Sequence, residues 1–355
     1  MKIKGQHTLS EITSQPLVWK EVIESFYPRQ DQVVAGYKAL TPSNVLFMGC
    51  GSTYYLSQIA AALFQSLTGI PSKAAPSSEL LLFPEQTITD TKRTLLVAIS
   101  RSGTTTETVQ AVDRFRKMGG PAVWVISCYP QSELAQSGDL TLLAEAAQEQ
   151  SIAQTRSFSS MLILAQALAA AVAGIDVTAL DALPGRLSTL LDDSADLFER
   201  LGKQRDLKRL FFLGSGYQYG IANESMLKMK EMSLTNSEAF HFMEFRHGPM
   251  SMANDKALIV GLFSQAARAH EERVLAEMVN LGAHTLGLNT SPDSGYEYNL
   301  FFDDQDIPDW ALPVLFLPPL QLLAYHRSIG KGLDPDNPRN LEAVVSLDTA
   351  AFAAN

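Results

Sequence analysis

The sequence has 355 residues, which is more than twice the ~150 residues of an ordinary domain. Its 46% hydrophobic and 19% charged residues are typical of a soluble globular protein and exclude disordered and collagen-like classes. The 38 acidic residues outnumber the 28 basic ones, and the net charge of −10 disfavours binding to nucleic acid or to an anionic membrane. A small anion would need a locally positive pocket.

The cysteines and the apolar segments indicate a cytoplasmic protein. Cys50 and Cys128 are too few for a disulfide framework or a four-cysteine metal site. The first residues lack the apolar core of a signal peptide. The most apolar stretch, 161–175, is rich in alanine and shorter than the ~20 residues of a membrane span, so we predict a buried helix there.

In chain order, residues 1–34 are predicted to form an N-terminal helical arm. From Val45 the chain reads as an apolar strand, a glycine-rich turn and a helix that ends near Leu67. The same order recurs from Thr94, with a loop rich in hydroxyl groups and a helix that ends near Met118. Strands that alternate with helices in this way predict a parallel sheet that is covered on both faces.

A shift of 165 residues aligns the sequence with itself. Gly49-Cys50-Gly51 then lies on Gly214-Ser215-Gly216. A few residues off that register, the predicted strands 94–99 and 122–127 meet 258–263 and 284–288. We therefore predict two similar α/β domains, joined by a linker and followed by a tail, at residues 35–175 and 195–345, with the linker at 176–194 and the tail at 346–355.

The hydroxyl-rich loop of the first repeat is a candidate phosphate site. Ser100 to Thr105 lie between a strand and the start of a helix, where backbone N–H groups, hydroxyl donors and the helix dipole favour an anion. The alternative is that these hydroxyl groups only cap the helix, and composition does not decide between the two. The second repeat has Ser264-Gln265-Ala266-Ala267-Arg268 in the corresponding place, without Gly or Thr.

The segment 228–249 of the second repeat is rich in titratable side chains, among them Glu231 and His247. A carboxylate and an imidazole in one cleft are suited to moving a proton on carbon next to a carbonyl group. The alternative is a solvated helix face, which is the commoner role of a single Glu or His.

Several ordered motifs together resemble the isomerase half of glucosamine-6-phosphate synthase, a tandem pair of sugar isomerase (SIS) domains. They cover almost the whole chain, and they lie at residues 11–16, 49–54, 100–105, 151–158, 227–249 and 337–341. The resemblance implies two flavodoxin-like, three-layer α/β/α domains with parallel sheets. It also implies a sugar phosphate as ligand. We expect neither a metal nor an organic cofactor, since a carbonyl carbon acidifies its neighbour and the sequence has no His/Cys/Asp ligand cluster.

The resemblance assigns roles to residues of this sequence. Glu231 falls on the residue that moves a proton between C1 and C2, with Lys228 beside it. His247 falls on the ring-opening histidine, which the family contributes across a subunit contact, so the resemblance implies at least a homodimer. The remaining matches bind the phosphate or line the sugar, and they are Ser52, Thr53, Ser100, Arg101, Ser102, Thr105, Ile152 and Gln154.

Three departures from the family pattern change the expected chemistry. A glutaminase domain is missing and residue 2 is Lys2 rather than cysteine, so we expect no hydrolysis of glutamine. Ala343 stands where the family has a lysine that forms an imine with the ketose, which excludes that imine here. Arg101 replaces a glutamine in the phosphate loop, adds a fixed positive charge and leaves a sulfonate possible as ligand.

The leading hypothesis from the sequence is isomerisation coupled to deamination, which converts glucosamine 6-phosphate to fructose 6-phosphate and ammonia. One alternative is an aldose–ketose isomerase of another hexose phosphate or of a sulfosugar. A second is a deglycase that cleaves a fructosamine phosphate, and a third is a non-catalytic sugar-phosphate sensor. No basic helix-turn-helix segment precedes residue 35, which disfavours the sensor.

Overall fold

Apolar runs of the sequence form two parallel sheets in a computed structural model, which describes residues 3–289, 294–301, 306–344 and 347. The strands of the first sheet are β1 (Asn44–Gly49), β2 (Ser72–Pro76), β3 (Thr94–Ser100), β4 (Ala122–Ser127) and β5 (Leu140–Leu143). The strands of the second sheet are β6 (Arg209–Gly214), β7 (Asn236–Phe240), β8 (Ala257–Leu262), β9 (His284–Leu288) and β10 (Tyr298–Leu300).

The two sheets share one strand order. It is β2-β1-β3-β4-β5 in the first and β7-β6-β8-β9-β10 in the second, and all pairs are parallel. This is the flavodoxin-like order, in which the chain changes direction across the sheet between the first and third strands. The predicted fold class, two α/β domains of parallel sheet related by an internal repeat, is confirmed.

Helices precede, follow and connect these strands. The helices up to the end of the first sheet are α1 (Gln6–Thr13), α2 (Gln15–Phe26), α3 (Gln30–Leu40), α4 (Ser52–Thr68), α5 (Ser77–Leu82), α6 (Pro84–Thr87), α7 (Thr106–Lys117) and α8 (Glu133–Ser137). The later helices are α9 (Arg156–Ala173), α10 (Leu183–Lys203), α11 (Gln218–Ser233), α12 (Phe242–Phe245), α13 (Arg268–Asn280) and α14 (Leu317–Gly330). Short 3₁₀ turns lie at Tyr27–Arg29, Thr91–Arg93, Glu145–Ala147, Val177–Ala182, Pro249–Met252 and Leu312–Phe316.

The chain divides into two compact units, each built on one sheet. The β1–β5 unit contains Leu17–Gln148, Arg156–Asp181 and the described residues after Leu341. The β6–β10 unit contains residues 3–16, Glu149–Thr155 and the described part of Ala182–Leu341. The predicted domains at 35–175 and 195–345 differ from these units, because the unit of the second sheet also includes the N-terminal helix and the loop 149–155.

The predicted linker differs from the structure, and most of the predicted tail lies outside the described residues. Much of the predicted linker 176–194 lies in the first turns of α10, which packs along α14 and has buried leucines such as Leu187 and Leu190. Its apolar residues recur at helical spacing, which the Pro-Gly pair near its start conceals. The predicted tail 346–355, apart from Leu347, and Lys2 lie outside the described residues.

The core of the β1–β5 unit places helices on both faces of the sheet. Phe47 of β1 packs on Phe64 of α4, with 5.8 Å between the ring centroids. Its neighbours Leu46 and Met48 point to the other face, where they join a buried cluster that includes Phe115 of α7. Because successive side chains of a strand alternate between faces, α4 and α7 lie on opposite sides of the sheet.

Helix α9 is long and apolar enough to cross a membrane, but 83% of it is buried inside the protein. Its buried residues run from Ser157 to Ala171, and it packs against α3 and α4. The buried helix predicted for 161–175 is therefore observed, and it is a core helix of the β1–β5 unit.

The loop after β3 depends on a glycine. Gly103 has a φ of +65°, and a Cβ built there would lie 2.0 Å from the Ser132 Oγ atom. Only glycine therefore fits both the backbone conformation and the space. Gly119, after α7, has a similar φ of +84° but open space around it.

We expect Gly103→Ala to destabilise the protein more than Gly119→Ala, because only the first substitution adds a steric clash. Urea unfolding should show a loss of about 1–2 kcal/mol for Gly119→Ala from backbone conformation alone. For Gly103→Ala the loss should be larger by about 1–3 kcal/mol. Equal losses for the two variants would contradict the close approach at Gly103.

Candidate active site

Two loops of the β1–β5 unit meet at the switch point of its sheet. Gly49–Thr53 follow β1 and Ser100–Thr105 follow β3, and these strands are hydrogen-bonded neighbours. Since α4 and α7 leave on opposite faces, the carboxyl ends of the two strands border a crevice. Ligands of open α/β sheets bind in such crevices.

The hydroxyl loop folds around its own serine side chains. The Gly103 N–H donates to the Ser100 Oγ at 3.1 Å, and the Thr104 N–H donates to the Ser102 Oγ at 3.2 Å. Both serine oxygens act as acceptors in these bonds, and the Ser100 Oγ also lies 3.5 Å from the Thr105 Oγ1. Thr105 is the N-cap of α7, yet its side chain makes no capping hydrogen bond. An anion site in this loop stays a prediction.

The turn after β1 uses its two predicted ligands differently. Ser52 is the buried first residue of α4. The Thr53 Oγ1 accepts a hydrogen bond from the Cys50 N–H at 2.9 Å and donates to the Cys50 carbonyl at 3.0 Å. The Thr53 hydroxyl thus closes the turn, and its predicted contact with phosphate stays a prediction.

Arg101 connects the phosphate loop to the C-terminal segment of the same unit. Its side chain is buried, and its Nη2 donates to the Ala343 carbonyl at 3.1 Å. Further along, the Leu347 N–H donates to the Thr106 Oγ1 at 3.2 Å. The position that carries a lysine in the family therefore lies beside the loop, where alanine offers a methyl group and no amine.

A buried ion cluster in α11 holds the predicted proton carrier. The Lys228 Nζ lies 3.3 Å from the Glu224 Oε1 and also forms a short ion pair with the Glu231 Oε2. The spacing 224, 228 and 231 places the three side chains on one face of the helix. Sequence reasoning overlooked Glu224, although its spacing from Lys228 was visible.

Burial distinguishes the members of this cluster. The side chains of Glu224 and Lys228 are 0% exposed, whereas that of Glu231 is 18% exposed. Burial alone would lower the pKa of Lys228, but the two carboxylates outweigh it and raise this pKa, so the lysine stays charged. Glu231 is therefore held by a fixed cation and is the one member that a ligand can reach.

This cluster does not lie at the switch point of its own sheet. Glu231 is in the last turn of α11, about 20 Å along the helix from its first residue. The fold alone would have predicted a ligand site at the carboxyl ends of β6 and β8 instead.

The loop 149–155, which carries Ile152 and Gln154, is anchored by a buried carboxylate of α1. Glu11 accepts hydrogen bonds from the N–H groups of Gln150 at 2.5 Å and Ser151 at 3.3 Å, and from the Ser151 hydroxyl. Burial raises the pKa of Glu11, an effect that these bonds oppose. The Gln154 Oε1 is buried and accepts no hydrogen bond within the described residues, which fits a ligand donor at this position.

Three further side chains hold the end of this loop. The Thr155 N–H and hydroxyl both donate to the Glu149 Oε1 at 2.7 Å. The Gln321 Nε2 donates to the Thr155 carbonyl at 3.2 Å, and Gln15 donates to the Gln321 Oε1 at 2.9 Å. The N-terminal motif at residues 11–16 thus positions a candidate substrate loop distant in sequence.

His247, the predicted ring-opening residue, lies on the surface of the chain. It follows α12 and precedes Gly248, its side chain is exposed, and it forms no side-chain hydrogen bond or ion pair among the residues that the structure describes. Among the described residues of one chain, therefore, no hydrogen bond or ion pair joins Glu231 and His247, the predicted acid–base pair.

The loop of the second repeat that corresponds to the phosphate loop is occupied by a carboxylate of the protein. Glu271 of α13 is 1% exposed, and its Oε2 accepts from the Ser264 N–H at 2.7 Å and the Ser264 hydroxyl at 3.0 Å. A hydrogen bond from Ser215 and the charge of Arg268 also favour the ionised form, but burial dominates and raises the pKa of Glu271. This carboxylate takes the place that an anionic ligand would need.

Metal ligands were not predicted from the sequence. Across the described ranges, no group of three or more His, Cys, Asp or Glu side chains is placed to hold a metal ion, and neither Cys50 nor Cys128 forms a disulfide. A reaction without metal or cofactor stays a prediction.

Comparison with known proteins identifies both repeats. The SIS domain family matches residues 41–171 and 205–296, more than half of the chain. The isomerizing glutamine–fructose-6-phosphate aminotransferase of Pyrococcus horikoshii is 28% identical over 352 residues, and that of Pseudomonas putida is 29% identical over 365. These matches cover 96% of this chain but only 57% and 58% of the relatives, so the chain spans little more than half of their length.

Solved structures match over nearly the whole chain. Glucosamine-6-phosphate deaminase from Thermotoga maritima has a TM-score of 0.82 and 32% identity, and the match covers 96% of this chain and 100% of the deaminase. Tagatose-6-phosphate ketose/aldose isomerase from Escherichia coli has a TM-score of 0.86 and 24% identity, with 94% and 95% covered. The second likeness concerns the fold alone.

The buried Glu271 at the loop of the second repeat should make the stability of the protein depend on pH. Burial raises the pKa of Glu271 in the folded protein. Its carboxyl group therefore contributes fully to stability at pH values below its pKa in the unfolded chain, about 4.3. This contribution is lost as the pH rises through the pKa that Glu271 has in the folded protein. Gln has the same shape but does not titrate. We therefore expect Glu271→Gln to gain unfolding free energy relative to wild type as the pH is raised across this window.

Urea unfolding at several pH values between about 4 and 8 measures this difference. Glu238→Gln, at an exposed site on β7, is the control and should show no comparable trend. A Glu271→Gln difference that stays constant across the series would contradict a raised pKa for the buried carboxyl group.

Proposed function

Since the chain belongs to the SIS domain family, we propose that it is a phosphosugar isomerase that converts glucosamine 6-phosphate and water to fructose 6-phosphate and ammonia. The observation that carries the proposal is the buried cluster in which Lys228 holds the partly exposed Glu231. The likeness to a glucosamine-6-phosphate deaminase, at 32% identity over that entire protein, supports an amino sugar phosphate as substrate.

In the proposed mechanism, the loop Ser100–Thr105 binds the phosphate group. Serine hydroxyl donors and the N-terminus of the twelve-residue helix α7 both favour a dianion. Arg101 contributes a permanent positive charge, which shortens and strengthens hydrogen bonds to an oxyanion. Binding at the phosphate end orients the sugar without using the reacting carbons.

Glu231 then moves one proton. In the open-chain sugar, the C1 aldehyde acidifies the C2–H bond, and the Glu231 carboxylate removes that proton and returns it to C1. The double bond passes from C1–O through an enolamine to C2–N, while the C1 oxygen gains a proton and the C2 nitrogen loses one, so the product is the C2 imine of fructose 6-phosphate with no net change of oxidation state. A carboxylate fixed by a buried ammonium group changes position little during this transfer.

Water completes the reaction in the proposal. Addition of water to the C2 imine gives a carbinolamine, which expels the nitrogen of the substrate amine as ammonia and leaves the ketone. Ala343 has no amine that could form a competing imine with the ketose. In this proposal the reaction thus ends with hydrolysis of the C2 imine, and no imine forms between the sugar and residue 343.

We further propose that His247 opens the sugar ring from a second copy of the chain, in a cytoplasmic homodimer. In the single chain the His247 side chain is exposed, as a group that acts on a neighbouring subunit would be. An imidazole has one ring nitrogen that can donate a proton and one that can accept a proton, so His247 can protonate the ring oxygen and take a proton from the C1 hydroxyl.

Purified protein should release ammonia from glucosamine 6-phosphate in equimolar amounts with fructose 6-phosphate. Glu231→Gln should lower kcat by about 10²–10⁴-fold, because it removes the base, and should leave substrate binding within a few-fold. Coupled assays for both products and calorimetric titration of the inactive variant measure these effects. Glu238→Gln, an exposed carboxylate on β7, is the matched control and should retain activity.

Three outcomes would overturn parts of this proposal. Conversion of another hexose phosphate or a sulfosugar to its isomer, without ammonia from glucosamine 6-phosphate, would favour an aldose–ketose isomerase. Full turnover in Glu231→Gln would remove Glu231 from the reaction altogether. Binding of sugar phosphate without turnover in wild type would favour a sensor.

Arg101→Gln separates binding from chemistry. The substitution restores the residue usual in the family and removes the fixed charge, so we expect KM for glucosamine 6-phosphate to rise by about tenfold with kcat nearly unchanged. Steady-state kinetics measures both constants. An unchanged KM would show that Arg101 serves its contact with the Ala343 carbonyl rather than the phosphate.

A further inference from the structure

A second concentration of positive charge lies in the β6–β10 unit, away from the residues considered so far. A cavity of about 270 Å³ opens where the ends of α10 and α14 meet the segment before β6. Seven residues line it, five of them basic and none acidic, and they are Gly202, Lys203, Arg205, Lys208, Arg327, Gly330 and Lys331. This cationic pocket contrasts with the net charge of −10 of the whole chain.

The side-chain partners in the cationic pocket are almost all neutral. Arg327, which is buried, donates to the carbonyls of Gln204 and Leu207. The Lys331 Nζ lies 2.8 Å from the Ser233 carbonyl and 2.7 Å from the Thr235 Oγ1. Hydrogen bonds to carbonyl groups orient these cations without neutralising them.

The exposed cations of the pocket follow the same pattern. Arg205 donates to the Gly330 carbonyl at 3.1 Å, and Lys208 donates to the Arg205 carbonyl at 3.0 Å. Only Lys203 has a carboxylate partner, Glu199, within the described part of the chain. Four cations therefore share the pocket without an ion pair to any residue that the structure describes.

Helix dipoles account for part of this accumulation. The C-terminal ends of α10, α11 and α14 all contribute carbonyls to these cations. Each helix end carries roughly half a negative charge, so three ends offset about one and a half of the four positive charges. The remaining surplus of about two and a half charges has no ion-pair partner among the described residues.

The positive charges in the cationic pocket also repel one another. Burial lowers the pKa of Lys331, and the nearby charges of Arg327 and Lys208 lower it further. Burial likewise lowers the pKa of Arg327. An anion in the pocket would relieve this repulsion.

We propose that the cationic pocket is a second anion site, which binds the phosphate group of a small phosphate-bearing ligand. Its volume is just below the ~300–1,000 Å³ of ordinary small-molecule pockets, which suits a compact anion better than a polymer. Arginine and lysine together supply the planar fork and the point charges that recognise phosphate oxygens. The site lies at the end of α11, the helix that carries Glu231, since Lys331 binds the Ser233 carbonyl.

Calorimetric titration with inorganic pyrophosphate tests this site, in protein whose phosphate loop is disabled by Ser100→Ala and Ser102→Ala. In that background we expect one pyrophosphate to bind per chain. Adding Lys208→Gln and Lys331→Gln should weaken binding by about tenfold or more, because two charged donors are lost. Adding Lys20→Gln and Lys92→Gln instead removes the same charge from exposed sites of the β1–β5 unit and should change affinity less than about twofold.

Circular dichroism and the thermal midpoint establish that each variant is folded, and Lys208→Gln alone provides a milder variant, since its side chain holds only the Arg205 carbonyl. A folded loop-disabled protein that binds no pyrophosphate would overturn the proposal. Equal weakening by the pocket pair and the control pair would overturn it too, because binding would then follow net charge. The outcome is independent of the proposed reaction, since the titration requires no turnover.

Discussion

The buried ammonium group of Lys228 is the constraint on which the candidate site depends. A charge removed from water is tolerated only with partners, and Glu224 and Glu231 supply them from adjacent turns of α11. Because Glu224 is fully buried and compensates the lysine from within, Glu231 need not be buried as well and remains partly open. The charge requirement of one buried lysine thus fixes the orientation of the side chain that we propose moves a proton.

The two repeats show how one fold came to hold different chemistry at equivalent places. In the first, the loop after β3 ends at a helix N-terminus and keeps serine hydroxyls oriented by its own backbone. In the second, the equivalent loop directs its Ser264 N–H and hydroxyl to Glu271. An internal carboxylate satisfies the same donors that a phosphate would, so the second sheet keeps the fold without an anion site in that loop.

Much of this architecture was predictable because local signals agreed with the global repeat. Apolar strands followed by Gly49-Cys50-Gly51 and by the hydroxyl loop indicate parallel α/β units, and the structure confirms them. What was missed depends on packing: Glu224 needs the helical register of α11, and the Glu11 anchor of the loop 149–155 joins residues about 140 apart. The start of α10 was predicted as part of the linker 176–194, because Pro and Gly are typical of loops. Proline also suits the first turn of a helix, as it does here.

Exchange of the C2 proton of glucosamine 6-phosphate in D₂O, followed by nuclear magnetic resonance, tests the role of Glu231 most directly, because it reports proton removal separately from ammonia loss. Wild-type protein and Glu238→Gln should consume the C2–H signal at the rate of turnover. Glu231→Gln should bind the sugar phosphate and leave this signal at least about 100-fold longer-lived. Loss of the C2 proton in Glu231→Gln at the wild-type rate would contradict the central claim.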